Sequence, residues 1–326
     1  MRFYGVNVGA RSVVTIQHGE SIPAQLSTIS ADAELRMVPS PRLAEALPGA
    51  DVLFVYDFSS PALRSAWPAA DSLRWVQVAS VGVDAVLFDG LIDSEVILTN
   101  SRGIFEEPIA EYVLGQILAF AKDFHRSWSA QEAHRWQHFE SEPIAGKSAT
   151  IVGTGPVGRA IARLLSAAGM RVRGVGRRAR TDPDFGEIGA DLLAALADTD
   201  YVVLAAPLTE QTRGMMNADA LAALPPRARL INVGRGELVL TDALVAALQT
   251  GRLAGAALDV VDPEPLPPGH PLWTAPNVRL TPHNSGDVAG WTDQLQQQFI
   301  ANFRRYVSGQ PLHNVVDKHR GYAPTG

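Results

Sequence analysis

The stretch Ile151-Val152-Gly153-Thr154-Gly155-Pro156-Val157-Gly158 constrains this chain more than any other. An apolar run, residues 149–152, leads into three glycines spaced GxGxxG, and a helical pattern opens at Pro156. Each glycine has its own mechanical task. Gly153 permits a tight strand-to-helix turn, Gly155 lets a ligand approach the backbone, and Gly158 lets helix and strand pack closely. The helix start supplies unpaired amides and a favourable dipole for phosphate groups. In this strand–turn–helix setting the motif predicts a parallel α/β core that binds a dinucleotide through Gly153, Thr154, Gly155, Pro156, Val157 and Gly158.

The rest of the chain reads the same way. Short apolar runs alternate with helical patterns, which is how parallel sheets are written in sequence. Before residue 100 the strands are expected at 13–16, 51–55, 74–79 and 96–99, with proline-opened helical stretches at 41–47 and 61–67. A long helix follows, with Pro108 in its first turn and a stripe of Ile109, Val113, Ile117, Phe120 and Phe124. Residues 127–146 are polar and rich in Trp and His, and read as an arm or long connection. Further strands are expected at 149–152, 171–175, 201–206, 230–233, 255–260 and 278–281. Continuous apolar runs of this kind suit a sheet covered on both faces. A second long helix carries Val288, Trp291, Leu295, Phe299, Phe303 and Val307 as its expected buried stripe. The two long helices bracket the middle of the chain. This predicts an inserted dinucleotide-binding domain, 100–286, within a substrate domain of 1–99 plus 287–326.

Composition narrows the partners. With 326 residues there is material for two cores. The net charge of −6 disfavours a nucleic-acid partner. The absence of cysteine removes disulfides, thiolate metal sites and a cysteine nucleophile. No run of about 18 apolar residues predicts a membrane span, and Met1–Asn7 lacks the apolar stretch of a signal peptide. The expected setting is the cytoplasm. His134 and His138 stand i, i+4, but no third ligand completes a site, so no metal is expected.

The second strand of the dinucleotide fold runs into Gly176-Arg177-Arg178-Ala179-Arg180. An NAD-selective protein usually places Asp or Glu there, to bind the ribose hydroxyls and repel a 2′-phosphate. Arginine forks instead match phosphate oxygens. Arg177 and Arg178 therefore favour NADP(H) over NAD(H), with Arg180 near enough to help.

Three more segments carry polar residues beyond strand ends: Asn232-Val233-Gly234-Arg235-Gly236-Glu237, Leu258-Asp259 through Glu264, and Thr281-Pro282-His283-Asn284-Ser285. In open parallel sheets, ligands bind at the carboxyl ends of strands. A hydride delivered to a keto carbon leaves charge on oxygen, and His283 is the natural proton donor to it. Glu264 would fix the ring and favour its imidazolium. Arg235 suits a substrate carboxylate and a keto oxygen, and the amides of Val81-Gly82 suit the other carboxylate oxygen. Ala206, Pro207, Thr212, Val233, Gly234, Asp259, His283 and Ser285 are expected to line the cofactor. Asn284 could share that pocket, and Tyr56, Phe58 and Trp291 could shape the substrate's.

With these residues together, the chain resembles the D-isomer-specific 2-hydroxyacid dehydrogenases. The resemblance is carried by Ser80-Val81-Gly82-Val83-Asp84, Asn100-Ser101-Arg102-Gly103, Ala110-Glu111, the GTGPVG turn and the three segments above. It implies two Rossmann-like, doubly wound parallel-sheet domains, an active-site cleft between them, and a homodimer acting on a small 2-keto or 2-hydroxy acid. Arg235, Glu264 and His283 match the family's catalytic arginine, acid and histidine. Ser80, Val81 and Gly82 match its substrate-carboxylate loop. The paired arginines are similar to those of NADPH-using glyoxylate and hydroxypyruvate reductases. Glu264 separates the chain from formate dehydrogenases, which carry Gln there. A phosphoglycerate dehydrogenase-like activity and a non-catalytic, dinucleotide-sensing corepressor are the competing readings.

Overall fold

The computed structural model describes residues 11–322, so the Met1–Asn7 segment lies outside the described residues. The chain divides into two compact units: residues up to Ile104 together with those from Ala289 onward, and Phe105–Val288. The segment from Asn100 to Ile104 belongs to the first unit, not to the inserted one. Asn100 Nδ2 donates to the Val81 carbonyl and Ser101 Oγ to the Val78 carbonyl, both at 2.8 Å, which ties the strand exit down there.

The first unit is built on a five-stranded parallel sheet in the order β2-β1-β3-β4-β5. Its strands are β1 (Ser12–His18), β2 (Ala33–Pro39), β3 (Val52–Val55), β4 (Trp75–Val78) and β5 (Ile97–Thr99). The strand β2 was not foreseen. Its alternation is broken by Glu34, Arg36 and Met37 on an edge of the sheet. The short helices α1 (Leu43–Ala46), α2 (Ala62–Ala66) and α3 (Asp89–Ile92) connect the strands. Leu43, Leu63 and Leu91 pack with Leu53, Val55, Val76 and Val78 over one face. The helix Trp291–Val307 supplies an aromatic stack. Phe299 lies 4.4 Å from Phe54 and 5.3 Å from Trp75, ring centre to ring centre. Its buried stripe is Leu295, Phe299, Phe303 and Tyr306 with the polar Gln296 and Asn302. Val288 is exposed and precedes the helix, and Tyr306 takes the place expected for Val307. Lys318 closes the unit, donating to the carbonyls of Leu91, Ser94 and Val96.

The second unit holds an eight-stranded sheet in the order β13-β12-β11-β10-β6-β7-β9-β8. Its strands are β6 (Ser148–Val152), β7 (Arg171–Val175), β8 (Arg180–Asp182), β9 (Gly186–Gly189), β10 (Tyr201–Leu204), β11 (Arg229–Asn232), β12 (Gly255–Leu258) and β13 (Val278–Leu280). All neighbours are parallel except β8 and β9. The helices are α4 (Glu106–Ala121), α5 (Phe124–Glu132), α6 (Pro156–Ala167), α7 (Leu192–Leu196), α8 (Ala218–Ala223) and α9 (Thr241–Gln249). Side chains alternate between two cores. Tyr201 and Val203 join Ile151, Ile231 and Ala257 under α4 and α6, while Val202 and Leu204 join Leu230, Ala256 and Leu258 under α7, α8 and α9. Burial on both faces is why these strands read as continuous apolar runs. The order reverses between β6 and β10, which marks the switch point where ligands bind.

Two readings need correction here. The first long helix ends at Ala121, Asp123 takes a left-handed conformation (φ 48°), and Phe124 starts a separate helix with its ring exposed. That helix runs to Glu132, so the start of the 127–146 stretch is helical where an arm or connection was expected, and His134 beyond it is again left-handed (φ 52°).

Candidate active site

The glycine turn divides its labour as the spacing demands. Gly153 has φ 107°, and a Cβ there would meet the Ala205 backbone at 2.5 Å. A Cβ on Gly158 would meet the Gly153 carbonyl oxygen at 1.9 Å. Gly155 differs: nothing lies within 4 Å of the Cβ position, and no side chain caps the helix α6 that it opens. Two glycines are thus filled by protein and the third faces open space beside uncapped amides. That combination fits a pyrophosphate.

Beyond β7 a side chain at position 176 would be crowded by its neighbours. A Cβ on Gly176 would stand 3.1 Å from Thr154 Oγ1 and 3.2 Å from Ile188 Cγ2. Arg177 and Arg178 are exposed on the turn. Arg180 reaches back, and its Nη2 donates to Thr154 Oγ1 at 3.1 Å. On the other flank, Pro207 follows β10, and Thr212 Oγ1 donates to its carbonyl at 2.7 Å.

The three expected catalytic side chains all belong to Phe105–Val288, each on a loop beyond a strand's carboxyl end. His283 Nδ1 lies 2.7 Å from Glu264 Oε1. The carboxylate can only accept, so Nδ1 carries the proton and Nε2 is left to face a reactant. Burial pushes the Glu264 carboxyl up. The hydrogen bond and charge of His283, the Val261 amide and the Arg235 charge outweigh it and hold the group below the usual carboxylate value. Arg235 is half-buried, with Nη1 donating to the Gly234 carbonyl at 2.9 Å. Its turn is folded by Asn232, whose Nδ2 donates to the Arg235 carbonyl and whose Oδ1 accepts from the Gly234 amide. At Gly236 the arginine turn touches the loop that leads to Glu264. A Cβ there would lie 2.1 Å from the Val261 carbonyl group.

Asp259 is buried, and its carboxylate organises the histidine loop. It accepts from Thr281 Oγ1 at 2.6 Å and from the amides of Asn284 and Ser285 at 3.0 Å. Because Thr281 spends its proton on Asp259, Tyr112 must donate to Thr281 across their 2.7 Å contact. Burial pushes the Tyr112 hydroxyl up to about 12, which keeps that donor protonated. Sequence reasoning named Asn232 and Thr281 only as members of polar segments, with no role, and missed Tyr112, because nothing local marks a residue that works by bracing another loop.

The remaining expected residues fall in the first unit. Ser80 Oγ donates to the Gly82 carbonyl at 2.5 Å, and the loop is fastened to Asn100 and Ser101. Tyr56 is buried, and Phe58 meets Trp291 edge to face at 6.5 Å. Among the described residues, no group of three His, Asp or Glu is placed to hold a metal ion, and no helix is long and apolar enough to cross a membrane.

Comparison with known proteins gives the family. Residues 114–285 match the family model for the NAD binding domain of D-isomer specific 2-hydroxyacid dehydrogenases. A glyoxylate reductase of Thermofilum pendens is 34% identical over 259 residues, covering 77% of this chain and 76% of the relative. The crystal structure of a D-isomer specific 2-hydroxyacid dehydrogenase from Xanthobacter autotrophicus, in complex with NADPH and MES, superposes with a TM-score of 0.82. It is 31% identical and covers 96% of this chain and 100% of its own. An NADPH-dependent glyoxylate/hydroxypyruvate reductase from Sinorhizobium meliloti, in complex with NADP and sulfate, gives a TM-score of 0.81. It is 30% identical, with 95% of this chain and 100% of its own covered. The chain belongs to the D-isomer-specific 2-hydroxyacid dehydrogenase family and is an NAD(P)-dependent 2-hydroxyacid dehydrogenase.

Proposed function

We propose that this enzyme reduces a small 2-keto acid to the D-2-hydroxy acid, reversibly, and prefers NADPH to NADH. The observation that carries the reading is the 2.7 Å pair of His283 and Glu264, in the same unit as a glycine turn with one open face. The cofactor, when bound, supplies the hydride. His283 gives the Nε2 proton to the oxygen that becomes negative. Glu264 holds the ring through Nδ1 and stabilises its charged form. Arg235 binds the substrate carboxylate and polarises the keto oxygen. Ser80, Val81 and Gly82, in the first unit, present backbone amides suited to a carboxylate oxygen.

In this reading Phe105–Val288 is the dinucleotide-binding domain and the first unit is the substrate domain. Gly153–Gly158 take the pyrophosphate, and Arg177 and Arg178 favour the 2′-phosphate. Ala206, Pro207, Thr212, Val233, Gly234, Asp259 and Ser285 border the cofactor. The solved relatives bound to NADPH and NADP support the cofactor choice. We place the enzyme in the cytoplasm as a homodimer. The exposed Phe124, Trp128 and Trp136 beside the polar arm favour a protein partner there.

The direct test of the site is His283→Asn. Turnover of keto acid should fall by about 10²–10⁴, while NADPH affinity, read by fluorescence titration, stays within twofold. Near-normal turnover in the variant would remove His283 from the chemistry.

A further inference from the structure

In a planar trans peptide the carbonyl and the amide of the next residue point in opposite directions, so fixing one aims the other. After β4 the chain turns through Ser80-Val81-Gly82, whose amides take a substrate carboxylate in the reading above. Two successive carbonyls of that turn are held by the segment that leaves β5. The Ser80 carbonyl accepts from the Ser101 amide at 2.9 Å, and the Val81 carbonyl accepts from Asn100 Nδ2 at 2.8 Å. The amides that follow them, on Val81 and Gly82, are thereby aimed away from Asn100 and Ser101. Among the described residues, neither amide has an acceptor.

Asn100 is itself held from behind. β5 is an edge strand of its sheet, and the chain beyond the helix Trp291–Val307 returns to cover that edge. The Val316 amide donates to the Leu98 carbonyl at 2.8 Å, and Val315 forms an antiparallel bridge with Thr99. Asn314 then spans both ends of Asn100–Arg102. Its carbonyl accepts from the Asn100 amide at 3.2 Å, and its Nδ2 donates to the Arg102 carbonyl at 2.8 Å. It does so from a left-handed backbone (φ 58°), which asparagine adopts more readily than most residues. A buried clasp sets the register of this tail. Asn302 Oδ1 accepts from the His313 amide at 2.9 Å, and its Nδ2 donates to the His313 carbonyl at 3.2 Å and to Gln77 Oε1 on β4 at 3.1 Å. Gln298, on the same helix, gives the Arg102 carbonyl a second donor at 2.9 Å.

Accepting the carboxylate-loop reading, we propose that Asn314 is a positioning residue for the 2-keto acid. It holds Asn100 where that side chain turns the Val81 and Gly82 amides toward the substrate carboxylate. A carboxylate that meets preset amides binds without first ordering the loop, and a loosened brace moves that ordering cost to the binding step. An interaction made equally with substrate and transition state changes KM and spares kcat.

The test is steady-state kinetics of the full chain with glyoxylate and NADPH, with thermal midpoints to show that each variant is folded. Asn314→Gly keeps the left-handed backbone and its carbonyl and removes only the side-chain donor. It should raise KM for glyoxylate about three- to tenfold, the range of one neutral hydrogen bond, with kcat and the KM for NADPH within about twofold. Gln298→Met removes the other donor to Arg102 with little change in bulk and should shift the same constant in the same direction, so the proposal does not rest on one position that could disturb folding. Asn100→Ala should raise it about tenfold. Adding Asn314→Gly to Asn100→Ala should then change it by less than about twofold, because the side chain through which Asn314 acts is gone. Unchanged glyoxylate KM in Asn314→Gly and Gln298→Met, with a raised value in Asn100→Ala, would overturn the proposal alone, as would effects that multiply in the double variant or a loss confined to kcat. Unchanged KM in Asn100→Ala would instead bring down the carboxylate-loop reading, and this proposal with it.

Discussion

His283 sits at φ 53°, a backbone conformation that costs a non-glycine residue about 1–3 kcal/mol. It is held there by its own amide, which donates to the carbonyls of Asp259 at 2.8 Å and Thr281 at 3.0 Å. No residue pattern announces that strain. That a carboxylate, Glu264, would stand beside His283 was expected from the chemistry of hydride transfer, but the direction in which the ring faces was not. The direction follows from Glu264 taking Nδ1. Glu264 also sets a pH dependence. Its folded value lies below the ordinary 4.5. The stabilisation of the Glu264 carboxylate is therefore fully present above the unfolded value and is lost only as pH falls through the lower, folded one. The acid limb of kcat/KM that belongs to Glu264 should lie below pH 4.5, and Glu264→Gln should abolish that limb while lowering turnover at neutral pH. A wild-type limb at or above that value, missing in the variant, would contradict the assignment. Arg235→Ala should lower kcat/KM through both kcat and KM. Loss of a charge-assisted bond costs about 1.5–3 kcal/mol, or about 10- to 150-fold in kcat/KM. Lysine should restore little of it. Unchanged kinetics in the alanine variant would place Arg235 outside the site.

Most strands of the second unit were legible because β6, β10, β11 and β12 are interior to the sheet and carry apolar runs, and β7 and the edge strand β13 keep a short apolar pattern of their own. The antiparallel pair at the opposite edge was not. β8 and β9 are short, exposed along much of their length and rich in charge and glycine, so no apolar period marks them. The loops also hid their bracing. Asp259 was expected to line the cofactor, yet its two oxygens accept three hydrogen bonds from the histidine loop. Asparagine cannot reproduce that, because its amide would point a donor at a donor. Asp259→Asn should cost about 1–3 kcal/mol of stability, lower the thermal midpoint, and slow turnover by loosening His283. A variant with wild-type stability and turnover would show the loop does not depend on Asp259. Gly236→Ala tests the contact between the arginine turn and the Glu264 loop. Its methyl would overlap the Val261 carbonyl, and displacing catalytic groups by about 1 Å costs about 10²-fold in rate. NADPH affinity should survive, since Gly153–Gly158 lie on a different loop. Wild-type kcat in Gly236→Ala would mean that the two loops are not held by that approach.

Each of the two units is a doubly wound α/β body with its own core. The two long helices, Glu106–Ala121 and Trp291–Val307, stand where the second unit begins and where the first resumes. The five-stranded order β2-β1-β3-β4-β5 and the β6–β10 switch point were not legible in the sequence, since strand order is set by long-range packing that no local pattern records. What the molecule does rests on one claim: that a dinucleotide turn and a histidine–carboxylate pair cooperate to reduce a 2-keto acid. The most direct test is steady-state oxidation of NADPH and of NADH by the full chain with glyoxylate, hydroxypyruvate and a longer 2-keto acid. The account predicts keto-acid-dependent oxidation of NADPH, with kcat/KM about tenfold or more above that for NADH, consistent with one added charge-assisted contact. Tight NADPH binding without turnover of any 2-keto acid in the panel would contradict it and identify a dinucleotide sensor instead.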